Sequence, residues 1–175
     1  MQLCRVIKKN IMKKMLIPAA LAIALMGCQS KVESQSSSNL QNNDEMIQAT
    51  TEKAAIEKLL FAYREALNAS DVGQVLPLYM PDGVFMPSGA PTSVGLEQVK
   101  AAYEFVFSAI QLNIEFYIDE IVLNGDYAFA RTTSKGTTLI HASGKTIPEE
   151  NRELFVLQKK GSSWKIARYM FNKMQ

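Results

Sequence analysis

Thiols and imidazoles are nearly absent from this chain of 175 residues, which has two cysteines, Cys4 and Cys28, and one histidine, His141. Beyond Cys28 there is no cysteine at all. Disulfides, thiolate nucleophiles and cysteine-held metals are therefore excluded from everything downstream. One imidazole likewise excludes the multi-histidine sites that hold zinc, and neither a metal nor a cofactor is expected. Acidic residues are missing from the first 27 positions, which carry Arg5, Lys8, Lys9, Lys13 and Lys14. No apolar run is long enough to cross a bilayer: the run from Met15 to Met26 is about a dozen residues, where a spanning helix needs about 20. Long basic runs are missing as well. Lys159-Lys160 stands beside a turn glycine, Gly161, so no nucleic-acid partner is expected. There are no internal repeats.

What is present at the start of the chain is an address. A basic segment, a short apolar run and a small residue, Gly27, describe a secretory signal peptide over residues 1–27. Cys28 follows Gly27 directly, and polar Gln29-Ser30-Lys31 comes next. This arrangement resembles the lipobox of bacterial lipoproteins. The resemblance implies a diacylglycerol on the Cys28 thiol and cleavage before it. It also implies export to the cell envelope with a lipid anchor in a membrane, the outer one in a Gram-negative organism. An uncleaved anchor helix, or a plain signal peptide with an incidental cysteine, are the alternatives. Met12-Lys13-Lys14 is a more ordinary start for such a peptide than Met1. Cleavage would leave 148 of the 175 residues, enough for one domain. It would also reverse the charge: five of the 19 basic residues leave, so 14 face 17 acidic ones, and +2 becomes −3.

Three segments follow from composition: a leader over 1–27, a tether over 28–46 and a domain over 47–175. Ser, Gln and Asn dominate the tether, and it is expected to be flexible coil. From Met46 onward Ile47, Ala54, Ala55, Leu59, Ala62, Tyr63, Ala66 and Leu67 recur at three- and four-residue steps, which predicts a long helix. Ser70 or Asp71 is placed to cap a short second helix through Val75 and Leu78. Met80-Pro81-Asp82-Gly83 reads as a turn, and a third helix is expected from Gly95 to about Ile110. Long strands then follow. A change of phase at Asp119-Glu120 predicts a β-bulge, Asn124-Gly125 a hairpin, and alternation over 152–159 and 164–172 a final pair around Gly161. Three helices followed by long antiparallel strands make an α+β domain.

The segments Leu78-Tyr79-Met80-Pro81-Asp82-Gly83-Val84-Phe85-Met86-Pro87, Gly95 leading the third helix, and Phe155–Arg168 with Gly161 and Trp164 go further. In this order they resemble the SnoaL-like branch of the nuclear transport factor 2-like superfamily over residues 48–174. The resemblance implies a cone, a cystatin-like roll in which a strongly bent, mostly antiparallel sheet wraps around the long first helix and a pocket opens at the wide end. Cyclases, steroid isomerases and dehydratases share that scaffold, so membership alone does not give a reaction. Asp119 is the strand-borne counterpart of an isomerase base, although an outward pair with Glu120 fits it better. His141 is expected at the surface.

One polar constellation stands out. Glu153 shares a strand face with Phe155 and Leu157, and Arg168 shares one with Trp164 and Ile166. A turn at Lys160-Gly161 sets Glu153 against Arg168, and a loop centred near Ala142 sets Arg131 opposite Glu153. The expectation is an ionised Glu153 inside the cone between two arginines, with Arg131 or Arg168 meeting the anionic or carbonyl group of an amphipathic small molecule. Tyr63, Tyr79, Phe85, Tyr103 and Phe107 are the expected apolar walls. The alternative is an ion ladder at the open end of the sheet that fixes strand register. Three functions remain open: an envelope lipoprotein that binds a small molecule, an enzyme on a small hydrophobic carbonyl compound, and a protein-assembly module. A homodimer is expected.

Overall fold

The computed structural model describes residues 33–174; the leader over 1–27 and the lipid site expected at Cys28 lie outside them. Helix α1 runs from Glu33 to Asn68. Its buried stripe is Ile56, Leu59, Leu60, Tyr63, Ala66 and Leu67, at steps of three and four. Ala54, Ala55 and Ala62, expected in that stripe, are exposed, because the stripe is centred on Ile56 and Leu60 instead. Coil was also expected over 29–45, yet from Glu33 onward the chain is helical. Gln is a good helix former and Ser and Asn are middling ones, and once a packed turn exists each further residue adds a hydrogen bond at little cost. The helix ends when Ser70 turns left-handed, at φ 51°. Asp71 N–H then donates to Ala66 O, and Ser70 N–H to Leu67 O, a Schellman arrangement. Asp71 accepts from Gln74 N–H to cap α2, Val72–Val75, which leads into a short 3₁₀ turn over Leu76–Leu78.

Strands β1, Tyr79–Met86, and β2, Ser93–Val94, precede α3, Gly95–Ala109. Then come β3, Ile110–Asn124, β4, Tyr127–Ile140, β5, Lys145–Lys160, and β6, Ser163–Lys173. They form one curved six-stranded sheet in the order β2-β1-β6-β5-β4-β3, in which the β1–β6 pair is parallel and the rest antiparallel. The segment expected as a turn at Met80–Gly83 lies within β1, as a break in its register with β6. Pro81 has no N–H to give a ladder, and a break is where a strand tolerates it. The α+β roll expected from the sequence is the observed fold. Helices α1 and α3 fill the concave face, where Val99, Tyr103 and Phe107 of α3 join the α1 stripe and Ile114, Phe116, Ala130, Phe155, Leu157 and Ile166 of the sheet.

Two bulges set the phase of side chains. In β3 the register with β4 jumps between Ile118 and Glu120, at the expected place. In β6 it jumps between Ile166, paired with Leu157, and Arg168, paired with Val156, so that Ala167 is an extra residue. Glycine is required at 136 by close approach: a Cβ there would lie 2.1 Å from Asn113 O.

Trp164 is buried against α1, and its Nε1 donates to Glu52 Oε2 at 2.6 Å while Lys159 Nζ holds the other oxygen at 2.5 Å. Trp164→Ala should lower stability by roughly 3–5 kcal/mol in urea melts. A loss below about 1 kcal/mol would show that this clamp does not seat α1 on the sheet.

Candidate functional site

A cavity of about 600 Å³ lies between the concave sheet face, α3 and the segment 87–93. That volume is ordinary for a small-molecule pocket. Ala101, Ala102, Phe105 and Val106 of α3 form one wall, and Ile110, Leu112 and Ile114 of β3 another. Phe105 is 74% exposed although it lines the cavity, which puts it at the mouth beside Pro87, Ala90 and Pro91.

The polar groups come mainly from one strand. Glu149, Asn151 and Glu153 of β5 all line the cavity, in phase with buried Phe155 and Leu157. On β4 the register sets Gly136, Ser134 and Thr132 opposite them. Thr132 Oγ1 donates to Glu153 Oε2 at 2.9 Å, and Thr138 Oγ1 to Glu149 Oε2 at 2.9 Å. Glu149 also accepts from Lys173 Nζ at 3.1 Å and from Asn151 Nδ2 at 3.0 Å.

Tyrosines from four elements meet beside Glu153. Tyr63 of α1 and Tyr103 of α3 share a short hydroxyl–hydroxyl bond, and Tyr79 of β1 bonds Tyr103 at 2.8 Å. The Tyr63 ring meets those of Tyr79, Tyr103 and Tyr169 of β6 edge to face, at centroid distances of 6.3, 6.3 and 5.3 Å. Burial pushes all four phenols up from their ordinary range, so they are neutral hydroxyl donors. Burial also pushes the Glu153 carboxyl up to about 7, against the opposing hydroxyls of Ser134, Thr132 and Tyr169. Such a carboxyl changes charge near neutrality, where a general acid or base works best.

Of the residues expected to make the pocket, Tyr63, Phe85, Tyr103 and Glu153 line it. Phe85 stacks between Tyr103 and Tyr169, at 4.8 and 5.5 Å. Tyr79 sits behind the wall and reaches it through Tyr103, and Phe107 packs on Tyr103 in the core. The two arginines are elsewhere. The Arg131 side chain is 54% exposed on the other face, bound to Asp119 and Glu120 at 2.9 Å each. The loop after β4 is centred half a residue later than expected, so Arg131 pairs with Leu154, and Thr132 pairs with Glu153. A slip of one residue moves a side chain to the opposite face. The Arg168 side chain is 43% exposed and lies 3.7 Å from Asp82, because the extra residue Ala167 turns it outward and Tyr169 inward. Among the described residues Glu153 therefore has no arginine partner, and it is not held ionised as expected. Asp119 with Glu120 is the outward pair, and His141 is exposed, its Nδ1 2.9 Å from Ser108 O. Among the described residues no three His, Cys, Asp or Glu side chains converge as metal ligands.

Tyr169, Asn151 and Glu149 were not anticipated as site residues. For Asn151 and Glu149 the signal was available, since they continue the two-residue step of Glu153, Phe155 and Leu157. For Tyr169 it was hidden by the bulge.

The family model described as a SnoaL-like domain matches residues 60–169. The chain belongs to the SnoaL-like domain family. Among solved structures this SnoaL-like chain is similar to a ketosteroid isomerase-like protein from Erwinia carotovora atroseptica, with 35% identity and a TM-score of 0.67, over 70% of this chain and 95% of that one. A nuclear transport factor 2-like superfamily protein from Salmonella enterica has 19% identity and a TM-score of 0.65, over 73% and 94%. A proposed scytalone dehydratase from Novosphingobium aromaticivorans has 14% identity and a TM-score of 0.65, over 74% and 89%. These last two share the fold. No curated protein sequence matches the chain.

The raised Glu153 carboxyl has a consequence for stability. Its folded form binds a proton more readily than the unfolded chain, whose carboxyl titrates near 4.5. The contribution is fully present below pH 4.5 and is lost as pH rises through about 7. The loss is on the order of 3 kcal/mol. Glu153→Gln should flatten that slope in melts taken across the interval, and an unchanged slope would place the titration at another group.

Proposed function

We propose that this SnoaL-like domain is a proton-transfer catalyst for a small, mainly apolar carbonyl compound bound in the cavity. The observation that carries the reading is the Glu153 carboxyl, 4% exposed and poised near neutrality, beside a network of neutral tyrosine hydroxyls at the polar end of an apolar pocket. Ionised Glu153 removes a proton from the carbon next to the carbonyl. The enolate oxygen needs a donor, and the neutral hydroxyls of Tyr63 and Tyr103, which line the cavity, are the groups placed to be one. Return of the proton at another carbon isomerises the ligand; loss of a β-hydroxyl as water dehydrates it. Relatives described as ketosteroid isomerase-like and as a proposed scytalone dehydratase agree with this chemistry.

Small cyclic ketones and enones incubated with the protein in heavy water should exchange their α protons, followed by proton NMR. Glu153→Gln should slow the exchange about 10²–10⁴-fold, and Tyr103→Phe should slow it to a smaller degree. Equal rates in wild type and Glu153→Gln would overturn the proposal. Binding without turnover is the second reading, favoured by the open apolar mouth at Phe105. It predicts retention of such ketones with no exchange in any form of the protein.

The setting of this chemistry is the envelope, with the chain held by lipid on Cys28. The acid-free basic start and Gly27-Cys28-Gln29 support that reading. A Cys28→Ser precursor should lose labelling by a fatty-acid probe and accumulate uncleaved. Labelling at the wild-type level would place the lipid, or the export signal, elsewhere.

A further inference from the structure

Asn151 is 6% exposed, lines the cavity, and carries a buried Oδ1 with no hydrogen-bond donor among the described residues. The orientation of its amide is settled by its neighbours. Glu149, paired with Lys173, can only accept, so the amide nitrogen faces it at 3.0 Å and gives its second proton to Ser134 Oγ at 3.2 Å. The oxygen is left as an acceptor in a low-dielectric wall, where buried polar groups are almost always paired.

We infer that Asn151 Oδ1 is a ligand subsite that accepts a hydrogen bond from a hydroxyl group on the small molecule held at Glu153. This rests on the cavity being the ligand site proposed above. Three features define the class of ligand. Asn151 and Glu153 are same-face neighbours on β5, so the hydroxyl oxygen lies about 6.5–7 Å from the atom that meets Glu153. An anionic group is excluded, because Oδ1 offers lone pairs and carboxyl groups stand on both sides of it, at Glu149 and Glu153. An ammonium is disfavoured too. Glu149 already has Lys173, and a cation beside Glu153 would hold that carboxyl ionised and too weak a base for the proton transfer proposed above. The ligand is a neutral hydroxy-carbonyl compound. This reverses the anion preference that two inward arginines would have given.

The full chain can be titrated calorimetrically at mildly acidic pH with para-hydroxyacetophenone and with its methyl ether, para-methoxyacetophenone. The two differ in the donor and place their oxygens at a similar spacing. Wild-type protein should bind the hydroxy compound about tenfold more tightly, the worth of one hydrogen bond to a buried acceptor. Asn151→Leu and Asn151→Ala should bind both compounds equally, while Glu153→Gln should keep the preference. In wild-type protein, at saturation with each compound, the side-chain amide signal of Asn151 should shift further with the hydroxy compound than with the methyl ether, a readout independent of whether the variants fold. Equal affinities in wild type, or a preference that survives Asn151→Ala, would overturn the inference and leave the pocket reading intact. Failure of both compounds to bind would overturn the pocket reading and this inference with it.

Discussion

Alternation of side chains across a strand governs everything inside this molecule, and one extra residue at Ala167 reverses it halfway along β6. Before the bulge, Trp164 and Ile166 point into the concave face; after it, Tyr169 and Phe171 do. Without the extra residue Arg168 would enter the cavity, beside Glu153. With it, a phenol arrives beside Tyr63 and Glu153 on β5 has no cationic partner among the described residues. The chemistry proposed for Glu153 follows from that switch, since an adjacent guanidinium would lower the carboxyl out of the neutral range.

Burial then does the rest. Four tyrosines and one glutamate share a region enclosed by two helices and the sheet, and desolvation pushes every one of them toward its neutral form. The hydroxyls satisfy one another, which permits so many polar atoms in the core. Their arrangement depends on α1, α3, β1 and β6 being seated together, so the polar network doubles as a sensor of correct packing.

The sequence made the architecture legible because its signals are local. Periodic apolar residues mark α1 and α3, and paired turn residues mark the hairpins. The phase change at Asp119-Glu120 is also local, and the bulge there could be placed in advance. The pocket was legible only in part. Glu153, Tyr63, Phe85 and Tyr103 follow from phase or helical face. Arg131 and Arg168 do not, because their directions depend on half a residue in a loop and on one inserted residue in β6. Neither leaves a mark in hydrophobic alternation: Ala167 is small enough to be buried on either count, and Thr132 looks no more like an inward residue than Arg131 does. The start of α1 was missed for a different reason, since polar residues of middling propensity take the conformation of the helix they adjoin.

The acidic and amide groups of the cavity wall come mainly from β5, while its apolar walls belong to α3, β3 and the segment after β1. Polarity and shape are thereby encoded largely in separate stretches of chain. Ala101, Ala102, Phe105 and Val106 can be exchanged for larger or smaller side chains without touching a ladder hydrogen bond or a titrating group. A scaffold divided in this way can drift from one cavity outline to another while the Glu153 carboxyl and the tyrosine hydroxyls stay in place.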